Sequence, residues 1–172
     1  MVKVGFNLEF QVGGYTSIVI SDELGGRNIL SQTSFEEKQG KDGNLHSNAQ
    51  MFMDGIAVFS FAISTVTKSI KDLLDFSSNE ADKIDDYLLH QANRMILLTV
   101  AKKMKVLFEK FPVNIDRFGN TNSATIPLLL SSENGNSELI KKVLTCGFGA
   151  GLSWGTAILD LRNTKVSCLC EI

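Results

Sequence analysis

A chain of 172 residues, 44% of them hydrophobic, can bury a sizeable core, and its length fits one compact domain. Seventeen basic against nineteen acidic side chains leave a net charge of −2, which excludes a broad basic surface for nucleic acid. The apolar stretches are too short or too interrupted to span a bilayer, and the segment from Met1 to Phe6 lacks the apolar core of a secretory signal, so the expectation is a cytoplasmic protein without membrane association.

In chain order, the apolar alternation from Val2 to Phe10 predicts a strand, followed by a turn at Gly13-Gly14. The β-branched run from Tyr15 to Ser21 predicts a second strand, and Arg27 to Ser34 a third that pairs with it as a hairpin. Phe35 to Ser47 is charged and glycine-broken, without period, and reads as a loop. Ile56, Phe59, Ile63, Val66, Ile70, Leu73 and Leu74 recur at spacings of three and four, which predicts a helix from Asp54 to Phe76 with one apolar face. Tyr87-Leu88-Leu89 predicts a short buried strand, and Asn93 to Phe108 a helix with Lys102, Lys103 and Lys105 near its C-terminal end.

No charged residue occurs between Phe118 and Ser132, so the helix predicted there, with Pro127 in its first turn, belongs in the interior of a larger body. Lys141 to Cys146 and Thr156 to Leu161 read as strands flanking a glycine-rich stretch. Asn163 to Ile172 is either an added strand or a loose tail. The alternation of elements predicts an α/β fold, a mixed β-sheet layered with α-helices.

Three stretches carry candidate chemistry. In Leu88-Leu89-His90-Gln91-Ala92-Asn93 the histidine sits where a strand ends and a helix begins, a position that faces ligand crevices in open α/β sheets. Taken alone, the residue also reads as a structural histidine that caps the strand. The second is Gly119-Asn120-Thr121-Asn122-Ser123-Ala124. The third is Gly147-Phe148-Gly149-Ala150-Gly151-Leu152-Ser153-Trp154-Gly155, whose glycines lack dinucleotide-binding spacing and precede a strand. Cys146, Cys168 and Cys170 lack zinc-type spacing and read as reduced thiols, so no metal site is expected.

Together these motifs resemble the C-terminal half of the β-ketoacyl-acyl-carrier-protein synthase III family, condensing enzymes on the thiolase fold. The resemblance covers positions 10–162 and rests on His90-Gln91-Ala92-Asn93, on Arg117-x-Gly119-Asn120-Thr121 with Ser123-Ala124 and Pro127, and on Gly147-Phe148-Gly149-x-Gly151-x-x-Trp154-Gly155. It implies a thiolase-like half over 1–162 with a tail at 163–172. It also implies a decarboxylating Claisen condensation of an acyl thioester with malonyl-acyl-carrier protein, using acyl-CoA and phosphopantetheine-borne substrates and no other cofactor.

By the same resemblance His90 and Asn120 are the catalytic donors that stabilise the enolate, and the backbone N–H of Ala150 completes an oxyanion hole. Asn93 and Phe148 line the pantetheine channel. Arg94, Lys102, Lys103 and Lys105 meet the acidic carrier protein, although the family often has arginine where this chain has Met95. The family's cysteine nucleophile belongs to the N-terminal half, and none of the three cysteines here matches it. The expected partners are an acyl carrier protein or CoA thioester, together with an N-terminal half or a second copy of the chain to cover the uncharged helix. A non-enzymatic acyl-carrier or CoA-binding module, or a truncation with no activity of its own, is the alternative.

Overall fold

A four-stranded mixed sheet of order β1-β9-β8-β6 carries the structure. Its strands are β1 (Gly5–Phe10), β6 (Asp86–Leu89), β8 (Lys142–Gly149) and β9 (Ser153–Asp160), with β6 and β8 parallel and Leu89 opposite Cys146. The computed structural model describes residues 5–11, 16–21, 28–40, 43–134, 138–139, 141–162 and 164–170. The expected turn at Gly13-Gly14 lies outside the described residues. No helix among the described residues is long and apolar enough to cross a membrane.

The chain separates into two units. The first comprises residues 1–9, 59–148 and 154–172 and holds most of the sheet; the second comprises residues 10–58 and 149–153.

In the first unit, strand alternation sends side chains to opposite faces of the sheet. Leu88 of β6 and Val143 of β8 turn to one face, where Leu129 of α5 (Thr125–Asn134) seals them; all three are at most 1% exposed, and Ile126, Leu130, Leu159 and Leu161 pack around them. Each such side chain contributes roughly 1.5–3 kcal/mol by leaving water. The expectation of a wholly interior helix is met in part: Leu129 is buried, Ile126, Leu128 and Leu130 are half-buried, and Pro127, in the first turn where its missing N–H costs nothing, is exposed. On the opposite face Phe61 meets the rings of Trp154 and Phe148 edge-on at 5.3 and 6.4 Å, and Ser69 reaches Thr156 at 3.3 Å. Tyr87 stacks on Phe111 and donates its hydroxyl proton to the Ala81 carbonyl at 2.8 Å.

The predicted helix from 54 to 76 is continuous but carries a wide turn: α1 (Gly55–Phe61), a π-turn (Ala62–Val66) and α2 (Thr67–Phe76). One extra residue in that turn slips the phase of everything before it. Val66, which ends the turn, and Ile70, Leu73 and Leu74 beyond it are buried as the spacing predicts, but on the N-terminal side the buried positions are Val58, Phe61 and Ala62, the turn's first residue. Phe59 and Ile63 are only half-buried, and Ile56 is 85% exposed.

The second unit is built of short pairs. Strand β2 (Ile18–Ile20) pairs antiparallel with β5 (Met51–Met53), with Val19 opposite Phe52. This corrects the hairpin expected with Arg27–Ser34. There Asn28 makes an isolated bridge, and Gln32–Phe35 form a 3-10 turn because the Ser34 hydroxyl accepts the Ser31 N–H at 2.9 Å, a local bond that competes with a ladder. The expected loop from 35 to 47 contains two two-residue strands, β3 (Lys38–Gln39) and β4 (Leu45–His46), that pair with each other.

Toward the C-terminus, α3 (Arg94–Met104) stops four residues short of the expected end, because Lys105 adopts a left-handed conformation (φ 57°) that turns the chain out of the helix. Strand β8 runs to Gly149 and β9 starts at Ser153, so only Ala150, Gly151 and Leu152 of the glycine-rich stretch form the turn. In the tail, the two-residue β10 (Thr164–Lys165) pairs antiparallel with β7 (Glu138–Leu139).

Candidate active site

His90 is the first residue past β6, and its backbone N–H still donates to the Cys146 carbonyl at 2.8 Å, so the end of the parallel ladder fixes its position. The chain then turns at once. The Ala92 N–H bonds the His90 carbonyl at 3.0 Å, and Asn93 caps α3 by accepting the Met95 N–H on its side-chain oxygen at 2.7 Å.

The tight turn is held from inside by Gln91, which is fully buried. Its Nε2 donates to the Leu89 carbonyl at 2.9 Å and to the Pro112 carbonyl at 3.4 Å, and its Oε1 accepts the Asn114 N–H at 3.3 Å. Gln91 thereby ties the His90 turn to the segment that leads, through the short helix α4 (Ile115–Phe118), to Asn120.

Around Asn120 the backbone takes two unusual conformations. Gly119 has φ 65° with an extended ψ, open to glycine, and Asn122 is left-handed at φ 51°, a conformation asparagine tolerates. They curl the chain so that the Asn122 N–H donates to Asn120 Oδ1 at 2.9 Å. An amide whose oxygen is so held directs its Nδ2 away, and Nδ2 donates to no described residue; Asn120 is exposed.

His90 and Asn120 are linked. His90 Nδ1 lies 2.7 Å from the Thr125 hydroxyl, Thr125 Oγ1 lies 2.9 Å from the Asn122 carbonyl, and the Asn122 N–H holds Asn120. Three hydrogen bonds thus run from one candidate donor to the other. The imidazole is half-buried, with Phe148 edge-on at 5.2 Å and an interplanar angle of 90°. Burial lowers its pKa below the ordinary 6.5, so the ring is neutral at pH 7 and has one N–H to give.

The other sequence-predicted residues are placed as follows. Asn93 is exposed and committed to its cap, while Phe148 is buried against His90. Ala150 lies in the second unit, in the turn after β8, where its carbonyl accepts the Ser153 hydroxyl at 2.7 Å. Arg94 is paired with Asp116 at 2.9 Å on the surface, and Lys102, Lys103 and Lys105 are exposed at the end of α3. Cys146 is fully buried in β8 and burial pushes its thiol pKa far up, which makes it inert; Cys168 and Cys170 are exposed in the tail.

Sequence reasoning passed over Thr125 and Gln91. The only signal for Gln91 was its place between His90 and Asn93, and Thr125 lies 35 residues from its histidine.

The profile described as 3-oxoacyl-[acyl-carrier-protein (ACP)] synthase III C terminal matches residues 74–161, just over half of the chain. The β-ketoacyl-[acyl-carrier-protein] synthase III of Streptococcus gordonii is 50% identical over 142 residues, 80% of this chain and 40% of that one. The crystal structure of the 3-oxoacyl-(acyl-carrier protein) synthase from Burkholderia xenovorans superposes with a TM-score of 0.82 at 30% identity, covering 97% of this chain and 46% of that one. A 2.1 Å structure of a 3-oxoacyl-(acyl-carrier-protein) synthase III gives a TM-score of 0.83 at 31% identity, over 91% and 47% of the two chains. The chain spans less than half the length of these relatives. The chain belongs to the β-ketoacyl-acyl-carrier-protein synthase III family of thiolase-like condensing enzymes, and corresponds to its C-terminal region.

Proposed function

We propose that this chain supplies the decarboxylation half of a condensing site: His90 and Asn120 donate to the thioester carbonyl of malonyl-acyl-carrier protein while carbon dioxide leaves. The carboxylate C–C bond breaks, its electron pair becomes an enolate, and the negative oxygen is met by the His90 ring N–H and the Asn120 Nδ2–H. The enolate carbon then attacks an acyl thioester, whose sulfur leaves as thiolate. That sulfur comes from the half of the enzyme this chain does not cover, since Cys146 is buried and inert and neither tail cysteine lies in the region of family match. The observation that carries the reading is the Asn120 amide, oxygen held by the Asn122 N–H, nitrogen without a partner among the described residues, and joined through hydrogen bonds to a neutral histidine.

Each preorganised donor in such a site is worth about 3–4 kcal/mol of barrier, or roughly 10²–10³ in rate. Co-expression with an N-terminal half from the family, followed by assay of condensation between acyl-CoA and malonyl-acyl-carrier protein, tests the reading. His90→Ala and Asn120→Ala each lower kcat by about that factor. Undiminished turnover in Asn120→Ala removes the mechanism.

Exposed Lys102, Lys103 and Lys105 provide the docking charges for the acidic carrier, with Arg94 already committed to Asp116. Large apolar side chains also remain uncovered: Phe6, Leu8 and Phe76 in one unit and Met51, Met53 and Ile56 in the other. Such surface marks an interface, and an N-terminal half or a second copy of this chain covers it. Sedimentation that finds only a folded 18.9 kDa species at micromolar concentration overturns this assembly.

A further inference from the structure

The imidazole of His90 is held from two sides of the sheet. On the α5 side its Nδ1 lies 2.7 Å from the Thr125 hydroxyl. On the opposite side Phe148 meets it edge-on, at 5.2 Å and 90°. A single hydrogen bond fixes one atom of a ring and leaves the ring free to turn about that bond, so the plane of the imidazole is set by its packing against Phe148.

Phe148 itself has little local support. It lies one residue before the end of β8, between Gly147 and Gly149. A Cβ at Gly147 would meet only Ile126 Cδ1, at 3.9 Å, and one at Gly149 would meet nothing within 4 Å among the described residues, so the flanking positions do not brace the strand end. Behind the ring stands Phe61, the last residue of α1, at 6.4 Å and 69°. Phe61 is backed in turn by Trp154 on the neighbouring strand β9, at 5.3 Å and 64°. The three side chains are at most 8% exposed and all belong to the first unit.

We propose that Phe61 is a positioning residue for His90: it holds Phe148 from behind, and Phe148 in turn fixes the plane of the imidazole. Leucine at position 61 keeps the site apolar but is shorter and has no aromatic edge to offer. Phe148 then shifts toward the vacated space, and water reaches the imidazole. The catalytic consequence rests on the function proposed above; the packing role does not.

The test reads the His90 pKa by NMR titration of the 172-residue chain, with a His46→Gln variant to assign the two histidines. Burial holds the native value below 6.5. In Phe61→Leu it rises by about 0.5 toward the ordinary value as water gains access. Leu73→Ala, a buried change on α2 that costs at least as much stability, leaves it where it was. In Phe148→Leu the pKa also rises, and adding Phe61→Leu then changes nothing further, the mark of an effect that passes through Phe148. In the enzyme reconstituted with an N-terminal half, Phe61→Leu lowers kcat about tenfold with KM little changed, whereas Leu73→Ala alters neither. A His90 pKa unmoved in Phe61→Leu, or moved as far by Leu73→Ala, overturns the proposal. Should Phe61→Leu not fold, Phe61→Met, flexible enough to fill the space but without a ring, carries the same expectation. A raised pKa in a reconstituted enzyme that performs no condensation leaves the positioning role standing and removes the proposed function instead.

Discussion

Replacing Gln91 with leucine keeps the side-chain volume close and deletes every hydrogen bond that closes the His90 turn from within. The native amide is fully buried, and of its three bonds only the one to the Leu89 carbonyl, at 2.9 Å, has strong geometry; those to Pro112 O and Asn114 N, at 3.4 and 3.3 Å, lie at the long edge of the range. A buried polar group that loses its partner costs about 1–3 kcal/mol. Counting the Leu89 carbonyl in full and the N–H of Asn114, a residue only 4% exposed, at the low end gives a loss of roughly 2–4 kcal/mol. With a urea slope of about 2 kcal/mol per M, the unfolding midpoint falls by about 1–2 M. Fluorescence of Trp154, the only tryptophan in the chain and part of the same unit, reports the transition, with far-UV circular dichroism as the second probe. A midpoint shift below about 0.2 M at unchanged slope refutes the claim that Gln91 holds the turn. Gln91→Glu is a sharper control. A carboxylate facing two carbonyl oxygens is repelled and desolvated, so its deficit is larger at pH 7 than at pH 5, where protonation restores a donor.

Asn93→Ala removes the side-chain cap of α3 and lowers stability by about 1 kcal/mol, while Asn93→Ser, which can still accept the Met95 N–H, recovers most of it in the same urea titration. Burial, with the nearby charge of Asp82 adding, raises the Tyr87 phenol pKa to about 12 from an ordinary 10. The folded state thus favours the neutral phenol, and the associated stability is full below pH 10 and is lost as pH rises through 12, about 2–3 kcal/mol in all. Tyr87→Phe abolishes that alkaline loss, at a cost of about 1 kcal/mol at neutral pH for the missing bond to Ala81; stability curves for the two chains that fall in parallel above pH 10 contradict this. Under native conditions a disulfide-exchange reagent titrates Cys168 and Cys170 and leaves Cys146 untouched until the chain is unfolded. Native reaction of three thiols shows that β8 opens readily.

Where one period governs a whole element, the chain could be read directly. Tyr87-Leu88-Leu89, the apolar rows of Ile70, Leu73 and Leu74, and the run from Thr156 onward lie where spacing puts them, because burial against a sheet enforces the repeat. Misreadings arise where local hydrogen bonding or a single residue decides. The strand expected over Arg27–Ser34 fails at its end because Ser31 and Ser34 close a turn there, and the true partner of Ile18–Ile20 is the three-residue Met51–Met53, too short and too exposed for its pattern to show. At the candidate site the motif residues His90 and Asn120 were legible as residues. The links between them run through Asn122 and Thr125, whose roles depend on a left-handed backbone and on the direction of one hydroxyl, and no periodicity encodes either.

The π-turn at Ala62–Val66 means that the long helix contains one residue more than its packing requires. Across that turn a five-residue step does the work of four, so positions on both sides already sit where an uninterrupted α-helix with one residue fewer would place them. The molecule therefore has slack at a single defined place. Excising Ser64, an exposed residue there whose hydroxyl bonds only to the preceding turn at Ser60 and Phe61, leaves Phe61 against Trp154 and Ile70 in the core. Excising the equally exposed Lys71, two turns later, turns everything before it by about 100° relative to Leu73 and Leu74 and unfolds the layer. Two deletions of equal size, both at the surface of one helix, thus have opposite outcomes.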